Sequence, residues 1–311
     1  MGHEDKKKLR CKVIEQTVAM EGCARQTPSL CRYYGITRQG YYRHRDRLSE
    51  VEVLKTSLLL YSQQLRAQLP MAGSRKLYAL CRKYFREKMV IGRDQYNNLL
   101  RANGLMLRKH TYRPRTTYSN HHYFIHPDLL NTTPKYRPQR IGDLMVVDIT
   151  YVPTLTGWAF LSLVTDAYSR IIVGYALSPT LDTAGPLAAL RMALDFYQKN
   201  NIPVRGSIHH SDRGTQYCSN EYIKVLTDNG IRVSMTQCGD PLHNALAERM
   251  NNTIKNGFLF DCEQDPYAQV LLKTDRAIHA YNTLRPHQAL GMKTPMEMLE
   301  IHRFTEAVPL S

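Results

Sequence analysis

The sequence predicts an all-α region over roughly the first 110 residues, followed after residue 140 by an α/β core with a mixed five-stranded sheet. Three observations predict this. In the first part, apolar residues recur at three- and four-residue spacing between basic positions, as on amphipathic helices. In the second, three strand-like runs rich in Val, Ile, Leu and Tyr are followed by alternating helical and strand-like runs. The charge divides at the same place: residues 1–140 hold 28 Lys and Arg against 10 Asp and Glu, and residues 141–311 hold 14 against 17. A length of 311 residues suits two domains at about 150 residues each.

Residues 1–26 read as a basic N-terminal lead. Pro28 opens a short helix over 28–34, Gly35-Ile36-Thr37 forms a turn with Thr37 as N-cap, and 38–45 is a second, basic helix. Helix, Gly-containing turn and basic helix is the helix-turn-helix pattern. A longer helix over 47–68 carries Val51, Leu54, Leu58, Tyr61 and Leu65 on one face. At barely two heptads, that stripe suits packing inside a bundle better than a dimer seam. A second helix pair follows, with Leu77, Leu80, Cys81 and Tyr84 on one apolar face and Tyr96, Leu99 and Leu100 on the other. Residues 27–107 thus form a tandem helix-turn-helix region, in which Arg38, Arg43, Arg75 and Arg93 are candidate DNA contacts. Residues 108–140, basic and proline-containing with little periodicity, read as a linker.

In the core, strands are expected over 144–152, 159–165 and 171–176, a helix over 187–197, a strand over 207–210, a helix over 220–228 and a strand over 231–235. A helix over 244–258 completes a core placed at 141–260, and helices near 266–282 and 295–303 make a C-terminal extension over 261–311.

Composition narrows the function. At 43% apolar and 22% charged, the chain has the make-up of a globular protein. Its apolar runs, such as Leu58-Leu59-Leu60, fall far short of the roughly 18 residues that span a bilayer. The opening residues Met1 to Lys8 lack a signal peptide's apolar stretch, and Lys6 stands where myristoylation needs Ser or Thr. The seven cysteines include no C-x-x-C pair, which argues against structural zinc and against a secreted disulfide scaffold. A cytoplasmic protein with reduced thiols is expected, with no membrane partner. The basic half attracts a polyanion through counterion release, and nucleic acid is the usual one; improved solubility is the ordinary alternative.

Three acidic residues stand out by position. Asp148 interrupts the apolar run Met145-Val146-Val147-Asp148-Ile149, Asp212 follows a strand in His209-His210-Ser211-Asp212-Arg213-Gly214, and Glu248 lies on the 244–258 helix. On that helix Leu246, Met250, Ile254 and Phe258 form the expected apolar stripe, with Asn244, Glu248, Asn251, Asn252 and Lys255 opposite. Singly, each acid has an ordinary reading: a hydrogen-bonded buried Asp, a turn residue and a solvated helix face. Together they make a hard-oxygen donor set suited to Mg2+ or Mn2+. Two such ions activate a water or hydroxyl and stabilise the leaving oxygen of a phosphodiester.

The motifs carry a resemblance. Asp148-Ile149-Thr150-Tyr151 and Gly157-Trp158 are joined by Asp166-Ala167-Tyr168-Ser169-Arg170 and by His209-His210-Ser211-Asp212-Arg213-Gly214-Thr215-Gln216-Tyr217. Asn244-Ala245 with Glu248, Tyr281-Asn282 and Arg285-Pro286-His287 complete them. With 63 residues between Asp148 and Asp212 and 35 between Asp212 and Glu248, the chain resembles the ribonuclease H-like core of retroviral integrases and DDE transposases. It is most similar to the second-reading-frame transposase of the IS-three family of bacterial insertion sequences, over about residues 28–300. Met145, Val147, His243 and Gly257 depart from that family's usual residues, and none is one of the three acids. His121-His122 has no C-x-x-C partner, so the zinc module of retroviral integrases is not expected.

The resemblance implies a DNA transposase that cleaves and joins strands with two Mg2+ or Mn2+ ions held by Asp148, Asp212 and Glu248. It implies further DNA contacts from Lys255 and Asn244, with Arg285 and His287 supporting the core or the DNA. The implied partners are the element's terminal inverted repeats, target DNA, further copies of the chain on DNA and the element's first-frame product, in a bacterial, nucleoid-associated setting. Two other readings share the residues: a structure-selective nuclease that cleaves without joining, and a DNA-binding regulator with a silent core.

Overall fold

The computed structural model describes residues 3–21, 26–107, 124–131, 133, 135–236 and 245–307. They fall into two compact units, one drawn from Met1–Gln63 with Cys81–Leu105 and the other from Gln64–Leu80 with Met106–Ser311.

The first unit is helical. The basic lead forms α1 (His3–Glu21), followed by α2 (Thr27–Tyr33) and α3 (Arg38–Gln68). Cys11 and Ile14 of α1 are buried against Cys31, Ile36 and Tyr41, so the lead contributes to this unit's core. Thr37 caps α3 as expected, its Oγ1 accepting from the Gly40 N–H at 3.1 Å, an interaction worth about 1 kcal/mol. One correction concerns α3 itself: the expected helices over 38–45 and 47–68 are one continuous helix of 31 residues. The join holds neither Gly nor Pro, and Asp46 in a helix interior costs only a few tenths of a kcal/mol. Leu54 and Leu58 are buried, as expected for bundle packing. The second helix pair is α4 (Ser74–Phe85), whose residues up to Leu80 are counted with the second unit, and α5 (Arg93–Ala102). Tyr61 stacks on Tyr84 with ring centroids 4.3 Å apart, and Ser62 Oγ lies 2.7 Å from the buried Tyr96 hydroxyl.

The second unit is built on a five-stranded sheet in the order β3-β2-β1-β4-β5. The strands are β1 (Leu144–Thr154), β2 (Gly157–Asp166), β3 (Ile172–Ser178), β4 (Ile208–Ser211) and β5 (Arg232–Met235). β1, β2 and β3 form an antiparallel meander, while β4 and β5 add in parallel. Each parallel addition needs a crossover helix, supplied by α6 (Ala184–Lys199) and α7 (Asn220–Asp228). This is the mixed α/β, ribonuclease H-like sheet that the sequence predicts.

The twofold period of the strands divides the core. Met145 and Val147 of β1, Val164 of β2 and Val173 of β3 face α6 and α7 through Leu190, Ala193, Tyr197, Tyr222 and Leu226. Val152, Leu161, Leu163 and Ile172 face the other way, onto α8 (Ala245–Phe258) and α9 (Tyr267–Leu284) through Met250, Ile254, Ile278 and Tyr281. The last helix is α10 (Pro295–Ala307). α6 lies so close to β3 that a Cβ on Gly174 would meet the Ala189 carbonyl and, at 2.8 Å, the Ala193 nitrogen.

Part of the expected linker lies against this unit. The Met235 N–H donates to the Pro127 carbonyl at 3.3 Å, and the Leu129 N–H to Ser234 Oγ at 2.9 Å. Leu129, Leu130 and Tyr136 pack on Leu144, Val146, Ile208 and Ala247. Residues 108–123, with His121-His122, lie outside the described residues. Among the described residues no helix is long and apolar enough to cross a membrane. The five described cysteines are free and buried.

Candidate active site

Asp148 sits where β1 and β4 part. Their ladder pairs Leu144, Met145 and Val146 with Ile208, His209 and His210. Carrying that register two residues further sets Asp148 beside Asp212, the first residue beyond β4. Val146 points toward Ala247 of α8, and the twofold period puts Asp148 on that same face. Asn251 of α8 closes the contact, its Nδ2 donating to Asp148 Oδ2 at 2.8 Å, while the Ile149 N–H donates to Oδ1 at 2.8 Å. Asp212 is fixed by the Gly214 N–H, which donates to its Oδ1 at 2.9 Å. Glu248 lies three residues before Asn251, in the first turn of α8, where the helix dipole favours an anion.

The three carboxylates feel one another. Burial and then the charge on Asp212 hold the Asp148 carboxyl well above the usual range; Glu248 adds to this, while the Ile149 N–H and Asn251 amide act against it. Burial, then Asp212, also raises Glu248. Among the described residues, however, no three Asp, Glu, His or Cys side chains close on a common centre.

Two buried polar atoms near the acids have no protein partner, the Tyr217 hydroxyl and Asn251 Oδ1. Tyr217 senses the charge of both Asp148 and Asp212. Three carboxylates within electrostatic reach of one another, together with the two orphaned oxygens, fit a hydrated hard cation in donor chemistry. Asp166, at the end of β2, is different: it accepts from the Gly142 and Ser169 N–H groups, Ser169 Oγ and the Tyr197 hydroxyl, which is a structural role.

Lys255, further along α8, places its Nζ 6.0 Å from the Trp158 ring centroid, and Trp158 is 47% exposed. Asn244 lies outside the described residues. Arg38, Arg43, Arg75 and Arg93 are exposed and are not part of the acidic site; the first, second and fourth belong to the helical unit and Arg75 to the sheet unit.

The expected apolar stripe of α8 needs a small rotation. Its buried residues are Ala247, Met250, Asn251 and Ile254, with Leu246 and Phe258 only partly covered. Asn251 is the site residue that the sequence reading assigned no role. Its position four after Ala247 and three before Ile254 was the available signal: it falls inside the buried stripe.

Two family profiles described as "Integrase core domain" match this region, over residues 138–241 and 229–295. An insertion element IS600 uncharacterized 31 kDa protein of Shigella sonnei is 31% identical over 277 residues, covering 87% of this chain and 97% of its own. The transposase for insertion sequence element IS629, also of Shigella sonnei, is 30% identical over 225 residues and 72% of each chain. The chain belongs to the insertion-sequence transposases with an integrase core. Among solved structures, the HTLV-2 integrase catalytic core domain in complex with magnesium aligns with this transposase at 19% identity and a TM-score of 0.41, over 52% of the transposase and 99% of that domain.

Proposed function

We propose that this transposase cleaves DNA at the ends of its element and joins the freed ends to new DNA, with Asp148, Asp212 and Glu248 as the metal-holding carboxylates. The observation that carries the reading is that the charges of Asp212 and Glu248 both raise the Asp148 carboxyl, beyond the end of a β1–β4 ladder whose register leads toward Asp148 and Asp212. When bound, two Mg2+ or Mn2+ ions supply Lewis-acid stabilisation of the phosphoryl oxygens and acidify the attacking hydroxyl.

The protein's own groups prepare the rest. Asn251 and the Ile149 N–H orient Asp148, and the Gly214 N–H orients Asp212. Water attacks a phosphodiester at the element's end and releases a 3′ hydroxyl. That hydroxyl attacks a second phosphodiester and displaces its 3′ oxygen. Each step exchanges one P–O bond for another, so no Ser or Tyr nucleophile is needed. Lys255 beside Trp158 is suited to a DNA strand, and Asn244 is assigned the same role from the family motif. Arg38, Arg43, Arg75 and Arg93 are assigned to phosphates of the terminal repeats. Copies of the chain assembled on DNA and the first-frame product are the proposed protein partners.

The test is an assay of purified protein on labelled element-end duplexes with Mg2+. Cleaved and joined products support the reading. Cleavage without joining favours the nuclease, and binding without either favours a silent core.

A further inference from the structure

Beside the acids lies a group of cations that the reaction above does not use. Two of the group's residues, Arg285 and His287, pack on Tyr281, a fully buried ring of α9. The Arg285 guanidinium carbon is 5.9 Å from its centroid, and the His287 ring packs edge-on at 5.1 Å. The Tyr281 hydroxyl donates to the Arg170 carbonyl at 3.0 Å, pinning a residue whose φ of 66° is left-handed, an uncommon conformation for a non-glycine. Lys76, in the Gln64–Leu80 part of the same unit, joins the group through Arg285 and His287, and Arg249 joins it through Arg170.

Among the described residues no carboxylate forms an ion pair with Lys76, Arg170, Arg249 or Arg285. Asp166 is within electrostatic reach of Arg170, but its oxygens are taken by the four donors named above. Partly buried like charges without a counter-ion are costly. Burial first, and Arg285 second, push the Lys76 amine down to about 7. His287 is pushed down to about 3 by burial and then by Arg285, Lys76 and Arg170, and its Nε2 is buried without a partner.

Arg285 and Arg249 open to solvent through a cavity of about 500 Å³, lined also by Glu248, Asn252, Thr253 and Asn256. Its wall therefore carries two guanidinium groups, two side-chain amides and a hydroxyl, all able to donate to an anion's oxygens, against one carboxylate, that of Glu248. Glu248 makes it adjoin the acidic site.

We propose that this cavity seats one phosphate of the DNA backbone, held by Arg285 and Arg249, next to the phosphodiester presented to the three acids. This rests on the reading of the chain as a DNA strand-transferring enzyme and adds a specific contact to it. The phosphate supplies the negative charge that the cations lack. Its distance along the strand from the reacting phosphodiester fixes the register of the DNA.

The test is binding of the full chain to an element-end duplex in EDTA, across a salt series, for the unaltered protein, Arg285→Gln and Arg249→Gln. One lost phosphate contact lowers affinity about tenfold at 0.1 M salt and reduces the log–log salt slope by about 0.9. A set of duplexes, each carrying one neutral methylphosphonate, locates the contact: the unaltered protein loses affinity at one position near the cleavage point, and the variants lose that penalty. Thermal melting checks folding. If Arg285→Gln does not fold, Arg249→Gln, which changes an exposed residue, decides alone. Folded variants with unaltered affinity, slope and methylphosphonate profile overturn the proposal, as does a protein that binds no end duplex. Because no metal is present, a chain that neither cuts nor joins DNA still gives a result here, so the two readings fail separately.

Discussion

Asn251 and Asp148 stand 103 positions apart in the chain, and Asn251 Nδ2 donates to Asp148 Oδ2 at 2.8 Å. This bond ties α8, which carries Glu248, to the strand that carries Asp148, so it holds two of the three acids in one frame. We expect Asn251→Ala to lower the rate at limiting Mg2+ by about 10–100-fold, as loss of the partner of a metal ligand does, with partial recovery at excess metal. An unchanged rate at limiting Mg2+ shows the bond to be packing alone.

The repulsion among the acids makes a second prediction. Mn2+ at about 100 times its dissociation constant stabilises a protein that binds it only when folded by about 2.7 kcal/mol. For a unit of this size that raises the melting temperature by roughly 5 °C or more. Asp148→Asn and Asp212→Asn are expected to lose most of the rise, and Asp148→Asn to melt above the unaltered protein without metal. Equal rises in all three proteins remove these residues from the metal site.

Close packing sets a third. A Cβ at position 174 collides with the Ala189 carbonyl and the Ala193 backbone of α6. Gly174→Ala should therefore destabilise the sheet unit by about 1–3 kcal/mol in denaturant titrations. A neutral or stabilising result contradicts the close approach of α6 to β3.

The fourth concerns pH. His209 is buried, with Nε2 2.9 Å from the Tyr222 hydroxyl, and burial followed by the neighbouring His210 lowers its pKa to about 3. Unfolded, the imidazole takes a proton below about pH 6.5. Between those values the unfolded state binds more protons than the folded one, so this residue's share of stability is present above pH 6.5 and is lost as pH falls. The slope is about 1.4 kcal/mol per pH unit for one such group. His209→Gln should flatten the pH 4–6 stability profile by about that amount; an unaltered slope means that the histidine is protonated in the folded protein.

Much of this was legible in the sequence, and the exceptions have physical causes. β1, β2 and β3 were legible because β-branched and aromatic residues fill them, and Thr37 because a capping hydroxyl precedes a basic helix. The join at Asp46 was not, because turn-like polarity is cheap inside a helix that is anchored elsewhere. The packing of 124–131 on β5 was hidden by prolines and low periodicity; two leucines and two hydrogen bonds suffice to hold it. Asp148, Asp212 and Glu248 could be named from motif spacing. Asn251 was assigned no role although its spacing from Ala247 and Ile254 put it in the buried stripe, because an asparagine on a helix reads as polar until a strand is set against it. Arg249 and Arg285 are separated by 35 residues, and only the fold shows that they line one cavity.

The most direct measurement compares the unaltered protein with Asp148→Asn, Asp212→Asn and Glu248→Gln on labelled element-end duplexes in Mg2+, scoring cleavage, joining and binding together, with Asp143→Asn as a control whose side chain bonds only the turn at Gln139 and Arg140. Each of the three variants is expected to bind end DNA and to lose cleavage and joining by at least about a thousandfold, while Asp143→Asn stays close to the unaltered rate. Strand joining that persists in any one of the three contradicts the assignment of that residue, and joining that persists in all three contradicts the active site proposed for this transposase.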